Sequence, residues 1–275
     1  LRLIKEGPEE ELARTDVSQV VIFLHSIGIV EVLKERFGQS IPAAFACGLS
    51  LGEYSALVFA GCVDLKEALQ VVAFRGTFMQ EAAESEAGLM TCVIGLDIEK
   101  VQELVEQVLS KCADSDVLCI ANWNAPQQVV VSGTPRAVAQ LEEISREAGA
   151  RKLVRLKVAG AFHSPLMQKA AAKLKPYLER LTIRPPKVPF IPNRLGVPTR
   201  EPETIRRCLI EQVTGSVLWA PTLKHIAASG VKRAVEVGPG KVLAGLARRT
   251  VPSLQVLSIG TRKDAEAWEG PLGQL

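Results

Sequence analysis

The stretch AAFACGLSLGEY, residues 43–54, combines a buried-strand pattern, a sharp turn and the start of a helix. Residues 43–47 are apolar and predict a short buried strand, while residues 52–60 predict a helix that Gly61 ends. Between them lies a Gly-x-Ser-x-Gly motif, residues 48–52, whose glycines permit a tight strand-to-helix turn. Strand, turn and helix in this order are typical of an α/β fold.

Ser50 lies at the point of this turn, where its side chain would project into a pocket. The N-terminus of the following helix supplies positive potential and free backbone N–H groups, and the N–H of Leu51 could bind a developing oxyanion. The alternative is an ordinary turn serine that caps a helix. The strand before the motif and the helix after it favour a serine nucleophile.

The remaining chain alternates strand-like and helical patterns, which supports an α/β class. Residues 89–156 follow the order strand, helix, strand, strand, helix, strand, which is the ferredoxin-like arrangement. We therefore expect a small ferredoxin-like subdomain at residues 87–156. It would be inserted into a larger α/β core formed by residues 1–86 and 157–275.

Composition excludes several classes of protein. Of the 275 residues, 47% are hydrophobic and 23% are charged, and the net charge is +3, so neither disorder nor a nucleic-acid partner is indicated. No uninterrupted apolar run approaches the ~20 residues of a membrane helix, so no membrane partner is expected. The six cysteines form no Cys-x-x-Cys pair, which predicts free thiols rather than disulfides or a metal site.

Three histidines are candidates for a general base. His25 lies within a predicted helix at residues 17–37, and His225 lies within another at residues 221–228. His163 instead follows a predicted strand and directly precedes a helix start, a crossing at which α/β active sites are built. Its imidazole could accept the proton of the serine hydroxyl. No acidic residue stands out as a third member of the set.

A cation interrupts the apolar stripe of the helix predicted at residues 65–84. At 100° per residue, one face carries Ala68, Val72, Arg75, Met79 and Ala82. A buried guanidinium must be paired. The pattern leaves three alternatives open for Arg75: a structural salt bridge, a side chain that reaches the helix edge, and a fork for a substrate carboxylate.

Three further patterns are weaker. Residues 238–241, Gly-Pro-Gly-Lys, follow a strand and open a helix, but lack phosphate-loop spacing and predict a tight turn. Asn122 and Asn124 would be either pocket-lining amides or part of a polar turn. Several basic pairs would be solvated surface or a docking patch for an acidic carrier.

Taken together, five segments make the sequence resemble malonyl-CoA:acyl carrier protein transacylases, the loading enzymes of type II fatty-acid synthesis. The resemblance extends from about residue 7 to about residue 260. The segments read GLSLGEY (48–54), FRG (74–76), NWN (122–124), GAFH (160–163) and EVGPGK (236–241).

The resemblance implies a hydrolase-like core with a parallel sheet and the inserted subdomain. It implies that Ser50 carries a malonyl ester, that His163 is the base, and that Arg75 binds the malonyl carboxylate. The backbone carbonyl of Gln212 would orient the histidine in place of an acid. The substrate-binding set is expected to be Arg75, Leu51, Gln212, Asn122, Asn124 and Met79. Malonyl-CoA would be a substrate, the acyl carrier protein a partner, and no cofactor is expected.

With leucine at position 49, the serine motif resembles that of plastid members of the family, which implies the plastid stroma or the bacterial cytoplasm. A monomer is expected. The family opens with a strand and a Gly-Gln-Gly-Ser-Gln loop whose glutamine helps form the oxyanion hole, and this sequence contains no such motif. Two other functions therefore stay open: a serine esterase or thioesterase, and a weakened carrier-binding fragment that lacks part of the oxyanion hole.

Overall fold

The computed structural model describes residues 6–38 and 41–270, and it has the mixed α/β class that the sequence predicts. The helices are α1 (Glu9–Ala13), α2 (Thr15–Phe37), α3 (Gly52–Phe59), α4 (Leu65–Ser85), α5 (Ile98–Leu109), α6 (Pro135–Glu147), α7 (Gln168–Arg180), α8 (Pro202–Gln212), α9 (Trp219–Ala228), α10 (Val242–Thr250) and α11 (Arg262–Ala267). A short 3₁₀ helix covers Pro165–Met167. The strands are β1 (Leu89–Ile94), β2 (Leu118–Ala125), β3 (Gln128–Gly133), β4 (Lys152–Arg155), β5 (Arg233–Val237) and β6 (Gln255–Ile259).

The largest core cluster lies between α2, α3, α4, α7 and α8. Phe23 and Ile27 of α2 pack into it beside Val72 and Met79 of α4. Asp64 begins α4 by accepting a hydrogen bond from the N–H of Lys66, the contact expected of an N-cap aspartate. The two long helices thus form one wall of the core, and they face the turn that carries Ser50.

Helix α2 is long and apolar enough to cross a membrane by length and composition alone. The same criterion is met by core helices of proteins that never enter a membrane. In this structure α2 buries Phe23, Ile27, Val30 and Leu33 against neighbouring elements.

A four-stranded antiparallel sheet occupies the middle of the chain in the order β2-β3-β1-β4. Helices α5 and α6 cover one of its faces, because each has an apolar stripe that includes residues such as Val105 and Leu141. Met90, Cys92 and Val130 point to the other face and pack against Phe162. Since Phe162 directly precedes His163, this sheet fixes the loop that carries the predicted base.

The strand predicted at residues 43–47 is wrong as a continuous strand. Only Ala46 forms a parallel bridge, with Phe190, through hydrogen bonds of 2.9 Å to the carbonyl of Pro189 and 3.0 Å from the N–H of Ile191. Pro189 has no N–H to donate on one side of this bridge, and the N–H of Asn193 on the other side donates to a carboxylate instead, so the ladder ends in both directions. Within residues 6–38 and 41–270, the parallel pairing beyond single bridges is that of β5 with β6.

Candidate active site

The turn at Ser50 has the strained geometry of a nucleophile elbow. Ser50 has a φ of 52°, a left-handed conformation that is unfavourable for residues with a Cβ atom. A Cβ atom on Gly48 would lie 2.1 Å from the backbone of Gly52, so the first glycine of the motif is sterically required. A Cβ atom on Gly52 would contact no described atom within 4 Å. The tightness of the turn therefore depends on Gly48 rather than on both glycines.

Ser50 and His163 lie within hydrogen-bonding distance, as the sequence predicts. The Oγ of Ser50 is 2.8 Å from Nε2 of His163, and Nδ1 of the same ring is 2.8 Å from the carbonyl oxygen of Gln212. Because a carbonyl can only accept, the ring proton resides on Nδ1 and Nε2 is free to accept the serine proton. The carbonyl of Gln212 thus occupies the place that a carboxylate holds in a serine-histidine-aspartate triad.

The loop that carries His163 is pressed against α4. A Cβ atom on Gly160 would lie 2.6 Å from the Cβ of Ala83, so this close approach requires glycine. His163 itself has a φ of 57° and is 4% exposed. Burial, together with the positive charge of Arg75, lowers the pKa of His163 to about 4. The imidazole is therefore neutral at pH 7, as a general base must be.

Arg75 is 1% exposed and reaches the nucleophile directly. Its Nη2 donates to the Oγ of Ser50 and to the side-chain oxygen of Gln212, both at 3.0 Å, and its Nη1 donates to the side-chain oxygen of Gln19 at 2.5 Å. None of the described carboxylates forms an ion pair with it, and its Nε has no hydrogen-bond partner. Of the three alternatives for Arg75, both the salt bridge and the side chain at the helix edge are wrong. Arg75 is therefore a buried cation without a carboxylate partner among the described residues, and the alternative of a fork for a substrate carboxylate stays open.

The side chain of Gln212 ties these groups together. Its Nε2 donates to the carbonyl of Ser50 at 2.9 Å and to a carboxylate oxygen of Glu53. Burial raises the pKa of Glu53 to about 7, although hydrogen bonds from Gln212 and from the N–H of Asn193 oppose the rise. Gln212 was expected to act through its backbone carbonyl, but its side chain also contacts Arg75 and Ser50.

The other predicted binding residues differ in whether they have hydrogen-bond contacts with this centre. No described residue accepts a hydrogen bond from the N–H of Leu51, which leaves that donor available to an oxyanion. Met79 is buried, and its sulfur accepts from the side chain of Gln19 at 3.5 Å. Among the described hydrogen bonds, neither Asn122 nor Asn124 contacts Ser50, His163 or Arg75. Both amides lie in β2, whose Cys119 donates to the carbonyl of His163 at 3.6 Å.

Three polar residues of the site were not identified from the sequence. They are Gln19, Glu53 and Asn193, each buried and each hydrogen-bonded to a predicted site residue or to its backbone. Glu53 follows the serine motif directly, and an acidic residue in an otherwise apolar helix was a usable signal. Gln19 and Asn193 had no comparable pattern around them.

The remaining histidines lie outside this centre. The ring of His225 is half-buried and packs edge-on against Phe45 with 5.7 Å between ring centres. His25 is half-buried in α2. At the Gly-Pro-Gly-Lys turn, the carboxylate of Glu236 accepts from the N–H groups of Leu243 and Ala244 at the start of α10. A carboxylate thus already occupies the place that a bound phosphate would need.

The low pKa of His163 predicts a pH dependence of stability. A histidine in the unfolded chain has an ordinary pKa near 6.5. Between about pH 6.5 and pH 4, His163 is therefore protonated in the unfolded chain and neutral in the folded protein. The stability from this site is fully present above pH 6.5 and is lost as pH falls through 4. The separation of the two pKa values corresponds to on the order of 3 kcal/mol.

Urea unfolding of wild type and His163→Gln at pH 7 and pH 4.5 tests this expectation. The loss of unfolding free energy between the two pH values should be smaller in the variant by about 2–3 kcal/mol. The raised pKa of Glu53 has the opposite effect, because its contribution to stability is lost as pH rises through about 7. This contribution is the same in both proteins. Equal losses in the two proteins would show that His163 titrates normally.

Comparisons with known proteins identify relatives of nearly the whole chain. A family model described as the acyl transferase domain matches residues 1–267. The malonyl CoA-acyl carrier protein transacylase of Bacillus subtilis is 37% identical over 264 residues, which cover 96% of this chain and 81% of the relative. The solved structure of the malonyl CoA-acyl carrier protein transacylase from Coxiella burnetii superposes with a TM-score of 0.90 at 33% identity and covers 97% of this chain and 82% of that one.

A third match is a malonyl-transacylase solved in complex with a type II polyketide synthase acyl-carrier protein. It superposes with a TM-score of 0.89 at 34% identity and covers 97% of this chain and 84% of that one. A matched family model over nearly the whole chain, together with relatives above 30% identity, establishes the assignment. The chain belongs to the acyl transferase family of malonyl-CoA:acyl carrier protein transacylases.

Proposed function

We propose that the protein transfers a malonyl group from malonyl-CoA to the phosphopantetheine thiol of an acyl carrier protein, for fatty-acid biosynthesis. The observation that carries the proposal is the position of Arg75 beside Ser50. It is a buried cation without a carboxylate partner among the described residues, and it lies 3.0 Å from the oxygen of Ser50. A malonyl thioester brings both the carbonyl that the serine attacks and the carboxylate that the cation lacks.

The first half-reaction forms a malonyl ester on Ser50. His163 Nε2 accepts the hydroxyl proton while the serine oxygen attacks the thioester carbonyl. The N–H of Leu51 would donate to the oxyanion of the tetrahedral intermediate. When the intermediate collapses, the carbon–sulfur bond breaks and His163 gives its proton to the departing sulfur, so CoA leaves as the free thiol and the imidazole is neutral again.

The second half-reaction reverses these roles with a different thiol. The carrier thiol gives its proton to His163 and its sulfur attacks the ester carbonyl of Ser50. Collapse returns the proton to the serine oxygen and leaves malonyl on the carrier. The neutral imidazole set by the low pKa of His163 suits this step, because the base must be unprotonated when the carrier thiol arrives. This route uses no cofactor, since nucleophile, base and oxyanion donor all belong to the chain.

We further propose that residues 87–156 form a ferredoxin-like subdomain inserted into a hydrolase-like core at residues 1–86 and 157–275. The sheet order β2-β3-β1-β4 and a separate apolar cluster under α5 and α6 support this division. We propose a monomer that uses neither membrane nor nucleic acid, in the plastid stroma or the bacterial cytoplasm. Leu49 in the serine motif supports the first location and the bacterial relatives support the second.

Arg75→Ala tests the proposed substrate. Truncating one member of a buried charge pair costs ~2–5 kcal/mol. At ~1.4 kcal/mol per tenfold, malonyl transfer should therefore fall roughly thirtyfold or more. Acetyl transfer should fall much less, because an acetyl group has no carboxylate to bind. The measurement is the ratio of malonyl to acetyl transfer to a carrier thiol, with released free acid quantified in the same reactions.

Arg155→Ala provides a matched control. Arg155 makes a two-pronged ion pair with the buried carboxylate of Glu142, and Glu142 lies on α6, apart from the Ser50 centre. Its removal should lower the melting temperature without changing the malonyl-to-acetyl ratio. An unchanged ratio in Arg75→Ala would assign Arg75 a structural role. Free malonate as the main product of the wild type would support the esterase or thioesterase alternative instead.

A further inference from the structure

We propose that Asn193 is a positioning residue that holds Ser50 in its reactive conformation. Asn193 is 2% exposed and lies in the proline-rich connection between α7 and α8. It touches none of the reacting atoms described above. Its side chain instead contacts the backbone of the turn on both sides of the nucleophile.

The two contacts use both ends of one amide. The Oδ1 of Asn193 accepts from the N–H of Ser50 at 2.6 Å, and its Nδ2 donates to the carbonyl of Gly48 at 2.6 Å. Few side chains offer a donor and an acceptor at this spacing, and a carboxylate has no donor for the carbonyl. The amide therefore bridges residues 48 and 50 across the point at which the chain reverses.

This bridge replaces a ladder that ends at the turn. The pairing of Ala46 with Phe190, if it continued, would bring the backbone N–H of Asn193 to the carbonyl of Gly48. That N–H instead donates to the carboxylate of Glu53 at 3.2 Å, and the side chain of Asn193 takes over the bond to Gly48. The backbone is thereby released to turn sharply without leaving a buried carbonyl unpaired.

The backbone of Asn193 is itself held by hydrogen bonds on both sides of the side chain. The N–H of Asn193 binds Glu53 at the start of α3, and its carbonyl accepts from the N–H of Leu218 at 2.8 Å. Because the backbone on both sides of the side chain is fixed, Asn193 cannot follow Ser50 if the turn relaxes. Relaxation of Ser50 from its φ of 52° would rotate its N–H and break the 2.6 Å bond.

Two consequences for the reaction follow. The N–H of Ser50 is occupied, so the N–H of Leu51 is left as the donor at this turn for an oxyanion. The direction of the serine oxygen toward His163 also depends on the left-handed backbone that Asn193 maintains. Loss of the bridge should reduce the reactivity of Ser50 without changing which acyl group is bound, in contrast to loss of Arg75.

The test measures the intrinsic reactivity of Ser50 with a fluorophosphonate. The serine oxygen bonds to phosphorus, fluoride leaves and the proton passes to His163, and intact mass gives the rate. Asn193→Ala removes both bonds, and Asn193→Asp keeps the volume but loses the donor. We expect labelling per folded molecule and kcat for malonyl transfer to fall about ten- to a hundredfold in both, as for one or two lost buried hydrogen bonds. KM for malonyl-CoA and the malonyl-to-acetyl ratio should stay the same.

Glu236→Ala is the matched control, because Glu236 is also a buried polar side chain that bridges backbone N–H groups, at the start of α10. It should lose stability and keep the wild-type labelling rate per folded molecule. A folded Asn193→Ala variant that is labelled as fast as the wild type would overturn the proposal. If the alanine variant does not fold, a wild-type labelling rate in Asn193→Asp would overturn it in the same way. The inference rests on Ser50 as the nucleophile of the proposed function. Failure of that role would show separately, as a wild type that is not labelled at Ser50.

Discussion

Ser50→Ala should abolish both the malonyl-enzyme adduct and transfer to the carrier, and leave at most background catalysis. Among the described residues, the side chain of Ser50 is hydrogen-bonded only to the two groups that would act on substrate, His163 and Arg75, so its removal leaves the apolar core intact. Alanine also keeps the Cβ atom and thus the same backbone strain. Intact-mass measurement after mixing with malonyl-CoA gives the adduct directly, and a thermal melt gives the fold.

An adduct that persists in Ser50→Ala would mean that another residue is the nucleophile, and peptide mapping would identify it. Cys119 is the nucleophilic side chain to examine first, because its sulfur lies 3.6 Å from the carbonyl of His163. Burial raises the pKa of Cys119 to about 11, so its thiolate is scarce at neutral pH. We therefore expect no adduct at Cys119.

His163→Ala should slow acylation by ~10²–10⁴-fold, the range for a positioned general base. In wild type the rate should stay level as pH falls from 7 and decline only near pH 4, where the imidazole becomes protonated. Stopped-flow acylation with malonyl-CoA across this range gives both quantities. His25→Ala and His225→Ala serve as controls, since neither ring contacts Ser50. A comparable loss in either control, with His163→Ala unaffected, would show that the base has been assigned to the wrong histidine.

The parts of the site that were predictable lie in regular patterns. The helix expected at residues 65–84 is Leu65–Ser85, and its periodicity placed Arg75 on the buried face before any contact was known. Ser50 and His163 were both marked by strand-to-helix crossings in the sequence. Element order in the middle of the chain was likewise visible, because helices and strands there have distinct apolar periods.

The parts that were missed depend on contacts between distant segments. Asn193 is 143 positions from Ser50 and lies in a proline-rich connection without any period. Gln19 lies in α2, whose apolar residues surround the axis so evenly that no polar residue stands out as inward-facing. The strand expected at residues 43–47 failed for a related reason, since Pro189 and the diverted N–H of Asn193, which end its ladder, belong to another part of the chain.

The left-handed backbone at Ser50 and His163 has a consequence for laboratory evolution. Within the described part of the chain these are the two residues other than glycine with positive φ. Each left-handed residue with a Cβ costs roughly 1–2 kcal/mol, and glycine avoids that cost. A screen that rewards heat resistance alone would therefore favour glycine at both positions and delete nucleophile and base together. Libraries meant to yield heat-resistant, active descendants should keep positions 50 and 163 invariant and diversify the exposed faces of α5 and α6.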